Sequence, residues 1–306
     1  WHPTIAELSV DKGAHFVCSS YISPEMEALN SVATHKGLCL VNEVGLDPGI
    51  DHLMAHLLVD EYKHSPEYEA TNTILFRSYC GGFPSKPNDF RYKFSWSPLG
   101  VLKALKTPSK SILESKAIDV QRPWHAITDY VANLPGARKE TFEAYPNRDA
   151  LPFIHAYHFD PEWHIDEFVR GTLRISGWAE AWKEIFTEID GLEGEEGDLR
   201  LQEMSDELWQ AHAYAEDESD RVVLCVELEA REKDTSVWQH GYSIDSLGDD
   251  KGSAMARLVS LTVSLAVDAI ATGKIRPGVS AAPSDPVIVK EWFETLSHMG
   301  EHIERI

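Results

Sequence analysis

Apolar residues recur along this chain with two periods, and each change of period marks a change of element. Ile5, Leu8 and Val10 within Thr4 to Lys12 predict a helix stopped at Gly13. Ala14 to Ser19 reads as a short buried strand, Pro24 to His35 as a second helix ended by Gly37, and Leu38 to Val41 as the next strand. Short connections between them give β-α-β, the order of a doubly wound parallel sheet. The run Asn42-Glu43-Val44-Gly45-Leu46-Asp47-Pro48-Gly49 then leads into an amphipathic helix over Ile50 to Tyr62. Two glycines, a proline and an aspartate are the punctuation of a strand-to-helix turn, and ligands of open α/β sheets sit at the carboxyl ends of strands.

From Asn72 the period becomes two. Ile74, Phe76, Ser78 and Cys80 alternate with Leu75, Arg77 and Tyr79, and the segment reaches Cys80-Gly81-Gly82. An aromatic stretch, Tyr92-Lys93-Phe94-Ser95-Trp96-Ser97, and a strand over Glu140 to Tyr145 follow. In Phe168 to Ile175, Val169, Leu173 and Ile175 share one face and Arg170, Thr172 and Arg174 the other. Two guanidiniums on one strand face suit an anion-binding wall. Trp178, Trp182, Ile185, Phe186 and Ile189 return to helical spacing, and acidic loops bracket a helix with Leu201, Met204, Leu208 and Trp209. Arg221 to Ala230 and Ser236 to Asp245 predict a hairpin, Ser253 to Thr272 a buried helix, and Pro286 to Ile306 one more amphipathic helix.

Composition narrows this picture. Fifty acidic against 28 basic side chains give a net charge of -22, which repels nucleic acid and anionic membranes. Arg257 and Asp268 argue against a membrane span in Ser253 to Thr272. Cys18, Cys39, Cys80 and Cys225 have no C-x-x-C spacing and read as reduced thiols. His52 and His56 have i, i+4 spacing, but Leu53 stands where a zinc peptidase needs glutamate, and His155 and His158 read as loop residues, so no metal is expected. No Gly-x-Ser-x-Gly elbow supports a serine hydrolase. Asp47 has two open readings, a carboxylate that only closes its own turn and one that transfers a proton. The glycines after Cys80 are open to two as well, a plain strand end or room for a ligand at the backbone.

Six segments in order carry a resemblance. They are Cys-Ser-Ser-Tyr-Ile-Ser-Pro (18–24), Asn-Glu-Val-Gly-Leu-Asp-Pro-Gly-Ile-Asp-His-Leu (42–53), Ser-Tyr-Cys-Gly-Gly (78–82), Tyr-Lys-Phe-Ser-Trp-Ser (92–97), Tyr-Pro-Asn-Arg-Asp (145–149) and Arg-Gly-Thr-Leu-Arg (170–174). The chain resembles the saccharopine dehydrogenase family of the L-glutamate-forming type. The resemblance implies the second half of a Rossmann-type α/β sheet (1–63), joined to an α+β substrate and dimerisation domain (64–178 and 221–280). A small helical subdomain (179–220) and a C-terminal helix (281–306) that packs back on the first domain complete it. It also implies an NADP(H)-linked oxidoreductase of lysine metabolism. Such an enzyme interconverts saccharopine with glutamate and 2-aminoadipate 6-semialdehyde through an imine, as a cytoplasmic homodimer.

By the same resemblance, Asp47, Cys80 and Tyr21 are acid/base candidates. Ser20, Tyr21, Arg148, Gly171, Thr172, Leu173 and Arg174 would contact substrate. Leu46, Asp47, Pro48, Trp96, Ser97 and Pro98 would border the cofactor, with Pro98 in place of a serine common in the family. No Gly-x-Gly-x-x-Gly follows a strand in these residues, so residues 1–306 alone are expected to bind NADP poorly and to be inactive. Two other readings stand beside this one: a carboxynorspermidine- or homospermidine-type reductase, and a non-catalytic dimerisation or ligand-binding module.

Overall fold

A computed structural model describes all residues, 1–306. The chain begins with α1 (His2–Lys12), β1 (Phe16–Val17), α2 (Pro24–Glu27), α3 (Asn30–Lys36), β2 (Cys39–Val41) and α4 (Ile50–Lys63). The middle comprises β3 (Thr73–Pro84), α5 (Pro98–Lys106), β4 (Ser109–Leu113), β5 (Lys116–Val120), β6 (Thr128–Leu134), β7 (Arg138–Pro146), α6 (Pro152–Ala156) and β8 (His164–Ile175). There follow α7 (Trp178–Ala181), α8 (Lys183–Asp190), α9 (Gly194–His212), β9 (Asp220–Glu232), β10 (Thr235–Leu247), α10 (Ala254–Ala271), β11 (Gly278–Ser280), α11 (Pro286–His298) and β12 (Ile303–Arg305). Packing divides them into two units, Trp1–Asp60 with Ala256–Glu301, and Glu61–Met255 with His302–Ile306. The sequence places 221–280 together, whereas the packing counts Ala256–Glu301 with the first unit.

The first unit is α/β. Its three-stranded sheet has the order β1-β2-β11 and is parallel throughout, with Leu40 paired to both Phe16 and Val279. Ala6 and Val10 of α1, Met26 of α2 and Ala33 of α3 bury against Phe16, Leu38 and Leu40. Gly13 and Gly37 end α1 and α3 in the left-handed region, where a Cβ would be strained. The helix expected over 24–35 breaks at Ala28 and Leu29 into two. Asn30, just past the break, accepts Val279 N–H through Oδ1 at 2.8 Å and so ties α3 to β11.

The helix expected to be buried, α10, is buried along a stripe only. Ala254, Leu258, Thr262, Leu265, Ala266 and Ala269 recur at helical spacing and are inaccessible, while Val267 is 52% exposed. By length and composition alone α10 could cross a membrane. Composition hides this asymmetry, because small alanines and serines occupy much of the outer side and leave the whole helix reading as apolar.

The second unit is built on a nine-stranded sheet, with β12-β10-β9-β3-β8-β4-β5 in line and the β6–β7 hairpin joined through β7 to β8. Only β3 and β8 run parallel among these pairs. One sheet face buries Tyr79, Phe83, Val169, Leu173, Val223 and Cys225 under Ala132, Leu134, Phe142 and Ala144 of the hairpin. A separate aromatic core joins Trp178, Trp182, Phe186 and Ile189 to Leu201 and Met204 of α9 and to Val101, Leu102 and Leu105 of α5. Alternation in 73–80 extends further than expected, because β3 continues to Pro84 and pairs with β9 along its whole length. The tail helix ends at His298, and β12 then adds an edge strand to β10.

Candidate active site

The turn after β2 is held by acids that the apolar pattern does not reveal. Glu43 is 7% exposed and has φ +56°, the left-handed region. Its Oε1 accepts Ile22 N–H at 2.9 Å, and its Oε2 lies 2.9 Å from Nε2 of His52. On the other side of that ring, Asp51 Oδ2 stands 3.4 Å from Nδ1, and Asp51 Oδ1 accepts Gly49 N–H at 2.6 Å. The backbone N–H of Glu43 donates to Ser20 O at 3.1 Å. Segment 20–22 and turn 42–49 are thus one hydrogen-bonded body.

That body brings together two of the residues singled out in the sequence. Tyr21 Oη donates to Asp47 Oδ1 at 3.2 Å, and both side chains are half-buried. Leu46 and Pro48 flank Asp47 and are buried, and the Asp47–Pro48 peptide is cis. Ser20 Oγ lies 3.2 Å from the His2 ring nitrogens. Gly49 has no room for a side chain, since a Cβ would come within 2.1 Å of Gly45 O. These groups follow the carboxyl ends of β1 and β2, where parallel sheets bind ligands. Ser280, at the same end of β11, has a buried hydroxyl with no hydrogen-bond partner. His52, weighed above as a metal ligand, is engaged with Glu43 and Asp51 instead.

The second unit carries the strand face that the sequence marks as suited to anions. Cys80 on β3 and Thr172 on β8 are register partners in the parallel pair, so their side chains share a face. Arg174, two residues along β8, projects to the same face and is 7% exposed. Its guanidinium carbon lies 4.9 Å from the Tyr92 ring centroid, 5.2 Å from Trp178 and 5.5 Å from Tyr145. Nη1 donates to Leu173 O at 3.0 Å, while Nε has no acceptor and no carboxylate pairs with the group. A buried guanidinium held by rings rather than by an acid leaves its fork for an incoming anion. Burial pushes the Tyr145 phenol up, although the charge of Arg174 opposes this.

The neighbouring positions divide by face. Leu173 lies in the core with Tyr79, and a Cβ on Gly171 would come 2.5 Å from the Tyr79 ring, so both turn away from Arg174. Arg148 is exposed, has φ +59°, and its carbonyl accepts Lys110 N–H at 2.9 Å. Gly81 proves to be a packing glycine, since a Cβ there would meet Leu173 O at 2.5 Å. The Ser97 hydroxyl caps α5 by accepting Gly100 N–H at 3.3 Å, with Pro98 buried in the first turn and Trp96 47% exposed. Pro98 suits that place because the first helical turn has no use for its missing N–H. Glu43, Tyr92 and Tyr145 lie within the quoted segments, but their roles as brace and cage, and that of Trp178, were missed, because cross-strand neighbours such as Tyr145 and Thr172 are set only by the fold.

The model of the saccharopine dehydrogenase C-terminal domain matches residues 45–301. The chain belongs to the saccharopine dehydrogenase family. The NADP-linked, L-glutamate-forming saccharopine dehydrogenase of Pyricularia oryzae is 38% identical over 201 residues, covering 64% of this chain and 42% of that protein. The mitochondrial alpha-aminoadipic semialdehyde synthase of Mus musculus is 35% identical over 188 residues, covering 59% of this chain and 19% of the other. The chain thus spans less than half the length of these curated relatives. Among solved structures, apo saccharopine dehydrogenase (L-Glu forming) from Saccharomyces cerevisiae matches all of this chain and 82% of its own, with TM-score 0.81 and 25% identity. The homospermidine synthase of Legionella pneumophila, TM-score 0.61 at 9% identity over 99% of this chain and 73% of its own, shares the fold.

Proposed function

We propose that this member of the saccharopine dehydrogenase family works in lysine metabolism, interconverting saccharopine with L-glutamate and 2-aminoadipate 6-semialdehyde with NADP(H). The observation that carries this reading is Arg174, a buried guanidinium with no acid partner, caged by Tyr92, Tyr145 and Trp178. Saccharopine offers three carboxylates to such a group. A polyamine product such as homospermidine offers none.

Each unit contributes its own chemistry. In the first, Tyr21 donates to Asp47, so the pair can pass a proton to or from the secondary amine and take one from the water that opens the imine. Cys80 is a third acid/base candidate, in the second unit. Ser20 is assigned to substrate beside Tyr21, and Thr172 and Arg174, with the backbone at Gly171 and Leu173 and with Arg148, to the carboxylates. Leu46, Asp47 and Pro48 are assigned to the nicotinamide ring, because their turn follows the carboxyl end of β2, where parallel sheets bind ligands. Trp96, Ser97 and Pro98 are assigned to the cofactor as well. When bound, NADP(H) takes or gives the hydride at the carbon of the C–N bond.

The reading carries a cytoplasmic homodimer with it, and the net charge of -22 supports the absence of nucleic acid and anionic membrane as partners. Saccharopine-dependent NADP reduction by the full-length protein tests the activity. Turnover of carboxynorspermidine or homospermidine with none of saccharopine would replace this reading with the polyamine one.

A further inference from the structure

The proposed chemistry uses one face of the nine-stranded sheet. On the opposite face lies a cavity of about 390 Å³, lined among others by Arg77, Tyr79, Tyr130, Glu167, Glu227 and Gln239. Its volume is within the range of small-molecule sites. The register of β3 against β9 sets Arg77 opposite Glu227. Arg77 is nevertheless committed elsewhere, with Nε and Nη2 on the two oxygens of Glu167 at 2.8 and 2.5 Å.

Glu227 makes no salt bridge, and only the longer-range charge of Arg77 reaches it. It is 8% exposed, and its Oε1 accepts a hydrogen bond from Asn133 Nδ2 at 3.2 Å. Arg77 is the one cation among the lining residues, against the carboxylates of Glu167, Glu227 and Asp129, so the cavity keeps a net negative charge. Beside Glu227, the Tyr79 and Tyr130 rings lie 4.7 Å apart at 45°. The Tyr130 hydroxyl is buried against Glu227. Burial, with Cys225 and Glu227 next to it, pushes this phenol well up, so it stays neutral and contributes no compensating charge. Asp129 and Gln239 complete the opening, one anionic and one offering an amide oxygen.

We propose that this cavity binds a small organic cation carrying a primary ammonium group. The head sits on Glu227, Gln239 supplies a further acceptor, and the tyrosine rings wall the carbon chain. Aromatic faces attract organic cations, and a buried carboxylate supplies the charge. A hard metal ion is a poor fit, since it needs several oxygen ligands and no group of three acids, histidines or cysteines is placed to hold one. An anion is a worse fit, because Glu167 neutralises Arg77 while Glu227 and Asp129 face the same space.

Titration calorimetry on the 1–306 chain at constant ionic strength tests this, with n-butylammonium chloride as ligand and potassium chloride as control. A saturable 1:1 isotherm for butylammonium alone is expected. Glu227→Gln, which keeps the Asn133 bond and removes the charge, should weaken it at least about tenfold, the worth of a charged hydrogen bond. Thermal melting and circular dichroism check that the variant is folded. If it is not, Gln239→Leu at the rim carries the test, with weakening of about threefold, the worth of a neutral hydrogen bond. No binding, equal binding of potassium, or an unchanged isotherm in the folded variant overturns the proposal.

Discussion

Nε2 of His52 lies 2.9 Å from Oε2 of Glu43, and the two side chains are 3% and 9% exposed. This contact joins the first turn of α4 to a residue in the left-handed region, and through Glu43 Oε1 it reaches the backbone of Ile22. It fixes the relation between Tyr21 and Asp47 without involving either side chain. Glu43→Ala removes the partner of His52 Nε2 and the acceptor of Ile22 N–H from a largely buried turn. A loss of about 3 kcal/mol in stability is expected, as for a broken buried pair. Urea unfolding measures it, and a loss below about 1 kcal/mol, the scale of a surface pair, would mean that water replaces Glu43.

Tyr21→Phe separates structure from chemistry. The lost hydrogen bond is half-buried, so stability should fall by only about 1 kcal/mol. If the pair transfers protons, kcat of the full-length protein should fall about 100-fold or more, with its pH profile displaced. A kcat within threefold of the parent would remove Tyr21 from the proposed mechanism.

Arg174→Ala should raise KM for saccharopine about 10- to 100-fold, the worth of a charged hydrogen-bond pair. Arg174→Lys should recover only part of this, because an ammonium cannot reproduce the planar fork that the rings hold. Steady-state kinetics on the full-length protein decides, and an unchanged KM in the alanine variant would move carboxylate recognition elsewhere.

Asp245 gives the second unit an acid-sensitive clamp. Its burial raises its pKa, but Arg221 at 2.6 Å and Arg138 at 2.5 Å outweigh this and hold the carboxyl below the usual 3.8. A depressed folded-state pKa means stability that is present above 3.8 and lost as the pH falls through the folded value. Chemical denaturation between pH 6 and 3, at about one-unit steps, should show a shallower acid decline in Asp245→Asn than in the parent. Parallel curves would show that other carboxylates set the acid limit.

Gly49 has φ +148°, and a Cβ would fall 2.1 Å from Gly45 O. Since backbone rather than a flexible side chain is in the way, Gly49→Ala should cost about 3 kcal/mol or more. Gly136 has φ +75° with nothing near its Cβ position, so Gly136→Ala should cost only about 1 kcal/mol. Thermal melts of the two variants would contradict this if they coincided.

The sequence by itself determined the elements that local pattern controls and the residues that recur as motifs. Strict alternation set Arg174 and Thr172 on one strand face, glycines marked the ends of α1 and α3, and six ordered segments carried the family. Pattern was silent between Pro98 and Leu134, where short strands β4, β5 and β6 bury few side chains and alternate weakly. Tertiary structure alone decided what surrounds each charge. Arg174 and Arg77 look alike in sequence, yet one is caged by rings and the other is paired with Glu167, because strand register chooses the neighbours. Glu43 and Glu227 read as ordinary acids on a protein of net charge -22, and only packing makes one a brace and the other a buried carboxylate without a salt bridge. Sequence period fixes which way a side chain points, but the neighbours that the fold brings in decide what it meets.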